Sequence, residues 1–246
     1  TVSDIKKQED IHSVIHMTSS LPYCRVYKGA TITLFLFENS EGHLESSLIV
    51  CPDKREGAFR ASKELGSYQV MMQISFALRI MYTCFSWKHQ ALIVHSSVIV
   101  HDDKANLFIG PSGTGKSTHS RNWLNYINGS ELLNDDNPII RMTGLNVIAY
   151  GTPWSGKTPC YRNKSYDVRA VVRLNQDKKN NIRNLSGTDI LFNMIPAISV
   201  VRWDKSAMDG IMSIISGIAE NIPFYYMGCL PDRAAVEMCY NEIEKK

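Results

Sequence analysis

The sequence predicts an α/β fold: a phosphate-loop domain around a mixed sheet, preceded by a small N-terminal antiparallel β layer and a long buried helix. Three observations predict it. Residues 1 to about 60 alternate apolar and polar positions as strands do, residues from 91 onward mix strand and helix periodicities, and a glycine-rich loop falls between a strand and a helix. The chain accordingly reads as an accessory β meander over 1–66, a connecting buried helix over 67–90, and the phosphate-loop domain over 91–246.

Bulk composition permits this fold and excludes several classes. With 44% apolar residues and 21% charged residues in 246, the chain affords a sizeable core and is too apolar to be disordered. Lys plus Arg (27) exceeds Asp plus Glu (24) by only three, so no nucleic-acid partner that needs a broad basic face is expected. No two of the six cysteines are closer than ten residues, which rules out CxxC redox or zinc-ribbon spacing and suits a reducing cytoplasm. The first residues hold no apolar leader. The richest apolar stretch, Val70 to Trp87, is interrupted by Gln73 and Arg79 and falls short of the roughly 20 residues a membrane span needs.

Taken in order, Tyr23–Tyr27, Ala30–Phe37 and His43–Cys51 are strands, with a turn at Ser40-Glu-Gly42. Pro52 to Gly66 is polar and mixed. From about Ser67 to His89 runs a helix that is apolar nearly all round, as expected of one covered on several sides. Leu92–Val100 and Asn106–Ile109 are strands joined by a turn at His101-Asp-Asp-Lys104. A helix begins near Lys116, and Asn128-Gly129 stops it. Ile139 to Tyr150 is a hairpin turning at Thr143-Gly144, Tyr166–Leu174 and Pro223–Met227 are strands, and 187–195, 205–221 and 232–244 are helices. The basic run Asp177–Arg183 reads as an exposed loop.

Gly110-Pro-Ser112-Gly113-Thr114-Gly115-Lys116-Ser117 matches the Walker A pattern G-x-x-x-x-G-K-[ST] without a gap. Its glycines let successive N–H groups turn inward as an anion nest, and the following helix adds the positive end of its dipole. Lys116 brings a compact charge to the β/γ-phosphates, while the Ser117 hydroxyl can ligate Mg²⁺. The strand before the loop and the helix after it are the context the motif requires. ATP or another nucleoside triphosphate is therefore the expected ligand.

Chemistry at bound phosphate needs a metal and a group to manage the nucleophile's proton. Asn134-Asp135-Asp136 follows the loop by one helix and one strand, so one carboxylate can hold Mg²⁺ while the other takes a proton from an attacking hydroxyl. His95 lies in an apolar strand, where a hydrogen-bonded core histidine is the commoner reading. A hairpin turning at Asp102-Asp103 is expected to leave it well down the sheet, and His101, at the turn tip, is expected in solvent.

His95-Ser-Ser, the Gly-Pro-Ser-Gly-Thr-Gly-Lys-Ser117-Thr118 loop and Asn-Asp135-Asp136 together resemble the kinase domain of HPr kinase/phosphorylase, over roughly residues 91–175. The loop and the Asp pair are also similar to those of phosphoenolpyruvate carboxykinases, which share the fold variant. The resemblance implies that Lys116, Ser117 and Thr118 contact nucleotide phosphates and Mg²⁺. It implies Asp135 as a metal ligand, Asp136 as general base or second ligand, and His95 as an auxiliary group near the transferred phosphoryl. Self-assembly into a homo-oligomer is a further implication. The acceptor stays open, because the C-terminal signature that engages HPr is not recognisable after residue 185, and no oxaloacetate-binding arginine and lysine motifs are found.

Gly151-Thr-Pro-Trp-Ser-Gly-Lys157-Thr-Pro-Cys-Tyr-Arg162 gathers glycines, prolines and two cations after a strand, as a shaped loop near anions would. Lys157 and Arg162 are candidate phosphate or substrate contacts. The sequence thus predicts a Mg²⁺-dependent phosphotransferase acting on an unidentified hydroxyl acceptor. Its alternatives are a nucleotide-binding regulatory module without turnover and a carboxykinase-related enzyme.

Overall fold

Period-two alternation in the first sixty residues does close into one antiparallel layer. The computed structural model describes residues 11–17, 21–29, 31–51, 56–156, 158–200 and 204–244, and divides the chain into two units, 1–85 and 86–246. In the first unit β1 (Ile11–Met17), β2 (Leu21–Lys28), β3 (Thr33–Glu38), β4 (Leu44–Cys51) and β5 (Glu56–Ala61) pair antiparallel in sequence order. β4 shows the cause plainly, burying Leu48 and Val50 and leaving alternate residues outward. β5 falls inside the stretch read only as polar and mixed. It is an outer strand held by main-chain pairing to β4, and such pairing asks little of its side chains.

α1 (Ser67–Ser86) follows, and it departs from the expected all-round burial. Gln73, Phe76, Ala77 and Ile80 are buried, with Phe76 edge-on to Phe37 at 5.5 Å, and Gln73 donates to Glu45 at 2.6 Å. Tyr68, Met71, Met72, Ile74 and Leu78 are exposed. Apolar composition told how much of the helix can be covered, and only packing neighbours decide how much is.

The second unit is a mixed sheet with helices on both faces. Its strands are β6 (Ala91–Ile93), β7 (Ser96–His101), β8 (Lys104–Ile109), β9 (Glu131–Asn134), β10 (Ile139–Thr143), β11 (Asn146–Tyr150), β12 (Ser165–Gln176), β13 (Asn181–Leu185) and β14 (Phe224–Cys229). The order runs β6-β10-β11-β12-β8-β7-β9. β12 is the spine, because its first half pairs with β11 and its second half with β14, while β8 lies parallel along its other edge. β13 occupies part of the run expected to be a loop. It pairs antiparallel with β14, and its polar side chains match its largely uncovered faces.

Alternation along β8 sorts the two cores. Leu107 and Ile109 join Val171 and the buried stripe Ile211, Ile214, Ile215 and Ile218 of α4 (Lys205–Asn221), on the face that also carries α3 (Thr188–Met194). Phe108 turns the other way, to Trp123 of α2 (Lys116–Tyr126) and to Ala235, Val236 and Cys239 of α5 (Arg233–Ile243). Asp204 and Asp232 cap α4 and α5 by accepting the N–H of Ala207 and Ala235. Among the described residues no helix is long and apolar enough to cross a membrane.

Candidate functional site

The loop from Gly110 to Gly115 leaves the end of β8 and enters α2, the strand-loop-helix order its motif needs. Gly115 caps α2 at φ 95°, a conformation that a side chain would strain. Two local bonds shape the loop: Thr114 Oγ1 donates to the Pro111 carbonyl at 2.8 Å, and Gln176 Nε2, from the end of β12, donates to Gly113 at 3.0 Å. Ser112, Ser117 and Thr118 are exposed on the loop and the first helical turn.

Lys116 turns back beneath this loop. Its ammonium donates to the carbonyls of Gly110 at 2.8 Å and Pro111 at 3.1 Å, and stands 3.1 Å from His95 Nε2. Burial lowers its pKa; the Asp136 carboxylate opposes that shift and the Arg173 guanidinium adds to it.

His95 is not well down the sheet. Ser96 pairs with Ile109 across the β7–β8 hairpin, so the residue before β7 lies beside the residue after β8, which is Gly110. Counting from the turn, rather than along the chain, places His95 at the phosphate loop. His101, by contrast, is buried rather than solvated: it lies 3.3 Å from Glu244 and packs edge-on against Tyr240.

The acidic segment is built by Asn134. Fully buried at the end of β9, its Oδ1 accepts the N–H groups of Asp136 at 2.9 Å and Asn137 at 3.0 Å, and its Nδ2 donates to Thr152 Oγ1 at 3.1 Å. The Asp136 carbonyl then accepts from Ser96 N at 2.9 Å, stitching the segment to the start of β7. Asp136 Oδ1 consequently sits 2.9 Å from His95 Nδ1, while Oδ2 accepts from Asn137 at 2.6 Å. Because the Lys116 ammonium can only donate, His95 Nε2 accepts and the ring proton lies on Nδ1, donated to Asp136.

Asp135 faces elsewhere. Its carboxylate accepts from Ser155 Oγ at 2.7 Å, Gly156 N at 2.7 Å and Thr158 N at 2.8 Å, so it holds these three residues in place. That uses three of about four lone-pair directions. Arg162 is not brought to the loop: it pairs with Glu131, whose strand partner Val100 lies at the turn end of the hairpin. Lys157 lies outside the described residues.

Several contributors had gone unread. Asn134, Asn137 and Thr152 tie the acidic segment together, Gln176 ties β12 to the phosphate loop, and Arg173 supplies a second cation. The signal for Arg173 was available, since it interrupts the apolar run of Ala170, Val171, Val172 and Leu174. Beside Gly113, Gly115 and Thr118 opens a cavity of about 410 Å³, bounded by His119, Gln176, Asp177, Cys229, Leu230 and Pro231.

No protein-family model matches the sequence, and comparison with curated proteins finds no match. Among solved structures, the Hpr(Ser) kinase/phosphatase from Coxiella burnetii is similar with a TM-score of 0.37 and 13% identity, over 62% of this chain and 96% of that one. The likeness is distant, and the functional reading stands on the residues of the site.

Proposed function

We propose that the chain binds ATP or another nucleoside triphosphate with Mg²⁺ and transfers the terminal phosphoryl group to a hydroxyl of a protein, peptide or small molecule. One observation carries the reading: the Lys116–His95–Asp136 chain at the phosphate loop joins a phosphate-binding cation to a carboxylate able to accept a proton. A loop that only bound phosphate would have no use for the second half of that chain.

In the reaction, the acceptor oxygen forms a bond to the terminal phosphorus as the bond to the bridging oxygen breaks, and its electron pair leaves on the nucleoside diphosphate. Asp136 takes the hydroxyl proton, and His95 orients the carboxylate through Nδ1–H. Lys116 exchanges its two loop carbonyls for phosphate oxygens. The nucleoside occupies the 410 Å³ cavity, within the range of small-molecule sites. The donor set of Ser117 and the remaining lone pair of Asp135 is all oxygen and suits Mg²⁺, which would supply charge neutralisation when bound. The six free thiols support a reducing cytoplasm as its location.

Two substitutions test the proposal by calorimetry and by ADP release with Mg²⁺·ATP. Lys116→Met should weaken ATP binding about 100-fold or more. Asp136→Asn should keep affinity within about threefold and lose about 100-fold in turnover. Unchanged affinity in the first variant or undiminished turnover in the second would sink the corresponding role. Wild-type protein that binds ATP tightly and never forms ADP would be a regulatory nucleotide-binding module.

A further inference from the structure

Two cations meet at Gly110, and the motif accounts for one of them. Lys116 Nζ touches the Gly110 carbonyl at 2.8 Å, and a Cβ placed on Gly110 would lie 2.8 Å from Arg173 Nη1. Arg173 projects from β12 opposite Ile109, the residue before the loop. Gln176, three residues further along the same strand, ties that strand end to Gly113.

Among the described residues, Arg173 lacks the carboxylate partner that four other arginines of the chain find. Arg25, Arg162, Arg169 and Arg233 each meet a carboxylate. Arg173 is half-buried, donates Nη1 to the Leu174 carbonyl at 2.9 Å, and forms no salt bridge among the described residues. A partly desolvated cation without a counter-charge is costly, and a second cation at the same residue adds repulsion. Burial lowers the pKa of Arg173, and its guanidinium in turn helps lower that of Lys116. An anion held between them relieves both.

The direction of the phosphate chain follows from its surroundings. The cavity that takes the nucleoside lies against Gly113, Gly115 and Thr118, whereas His95 and Asp136 stand at the Lys116 end, beside Gly110. Phosphates running from one to the other bring the terminal group to Gly110. We propose that Arg173 is a ligand of the terminal phosphoryl group, an intramolecular arginine that neutralises charge during its transfer; this rests on the nucleotide reading above. The planar fork suits two phosphate oxygens, where a lysine offers only a point charge.

Calorimetric titration of the full chain with Mg²⁺·ATP, Mg²⁺·ADP and inorganic tripolyphosphate separates the possibilities. Arg173→Met should lose about tenfold or more in affinity for ATP and tripolyphosphate and less than about twofold for ADP, with Arg173→Lys falling between. Should the methionine variant not fold, the lysine variant carries the same comparison. A ratio of ATP to ADP affinity that survives either folded substitution overturns the role of Arg173 and leaves nucleotide binding standing. Wild-type protein that takes up neither nucleotide nor tripolyphosphate overturns the phosphate site itself.

Discussion

The two ends of the β7–β8 hairpin hold comparable sets of charged groups and use them in opposite ways. At the turn end the charges close on one another: Glu244 accepts from Arg169 and lies 3.3 Å from His101, Lys104 meets Asp167 at 2.8 Å, and Arg162 meets Glu131. At the loop end neither cation forms a salt bridge among the described residues: Lys116 donates to the Gly110 and Pro111 carbonyls and to His95 Nε2, and Arg173 donates to the Leu174 carbonyl. Paired charges of the first kind hold a fold, whereas cations satisfied only by neutral acceptors await an anion. The contrast also disposes of a tempting metal site. His101, Asp102 and Glu244 bring ligand atoms within 4.8 Å of one another, but Arg169 already neutralises Glu244.

Acid should break the comparison first at the loop end. His119 lies in α2 behind the loop, accepts from Trp123 Nε1 through Nε2 at 3.1 Å, and is pushed down from 6.5 to about 4 by burial. Its folded pKa is lower, so the unfolded chain binds the proton more readily between those values. Its contribution is therefore fully present above about pH 6.5 and is lost as pH falls toward 4, by roughly 3 kcal/mol at the lower limit. Urea unfolding across that window measures the slope. His119→Gln should flatten it, and an unaltered slope in that variant would mean that other groups drive the acid transition.

Such groups show where the sequence was legible. Helices α4 and α5 could be read because their apolar residues recur at helical spacing. The phosphate loop was legible as a local pattern with its strand and helix in place. β5 and β13 were not, since strands held mainly by main-chain pairing leave little trace in side-chain type. His95 was misplaced because its neighbour is set by hairpin register and not by distance along the chain. Arg162 misled for the opposite reason: a cation in a promising loop found a carboxylate at the wrong end of the sheet.

Next in size is the turn-end network. Glu244→Gln keeps one acceptor for Arg169 and His101 but removes the charge that balances a guanidinium about one-fifth exposed. The expected loss of stability is about 2 kcal/mol, below that for a fully buried pair because both side chains keep some contact with water. ATP affinity should stay within about twofold. A variant that unfolds normally and binds nucleotide poorly would show that the two ends are coupled and that the division between them is wrong.

The smallest effect sharpens the division within the turn end. Lys104 and Asp167 sit 2.8 Å apart, yet their side chains are 45% and 50% exposed, so water and salt screen them and two long side chains must be ordered to meet. Lys104→Ala should therefore cost less than about 0.5 kcal/mol, a difference that disappears at high salt. Glu244→Gln should lose little of its effect under the same salt, because its partners are shielded by protein. Measured side by side, the two variants ask whether burial, rather than the mere presence of an ion pair, makes this end of the sheet structural. A Lys104→Ala loss as large and as salt-resistant as that of Glu244→Gln would answer no.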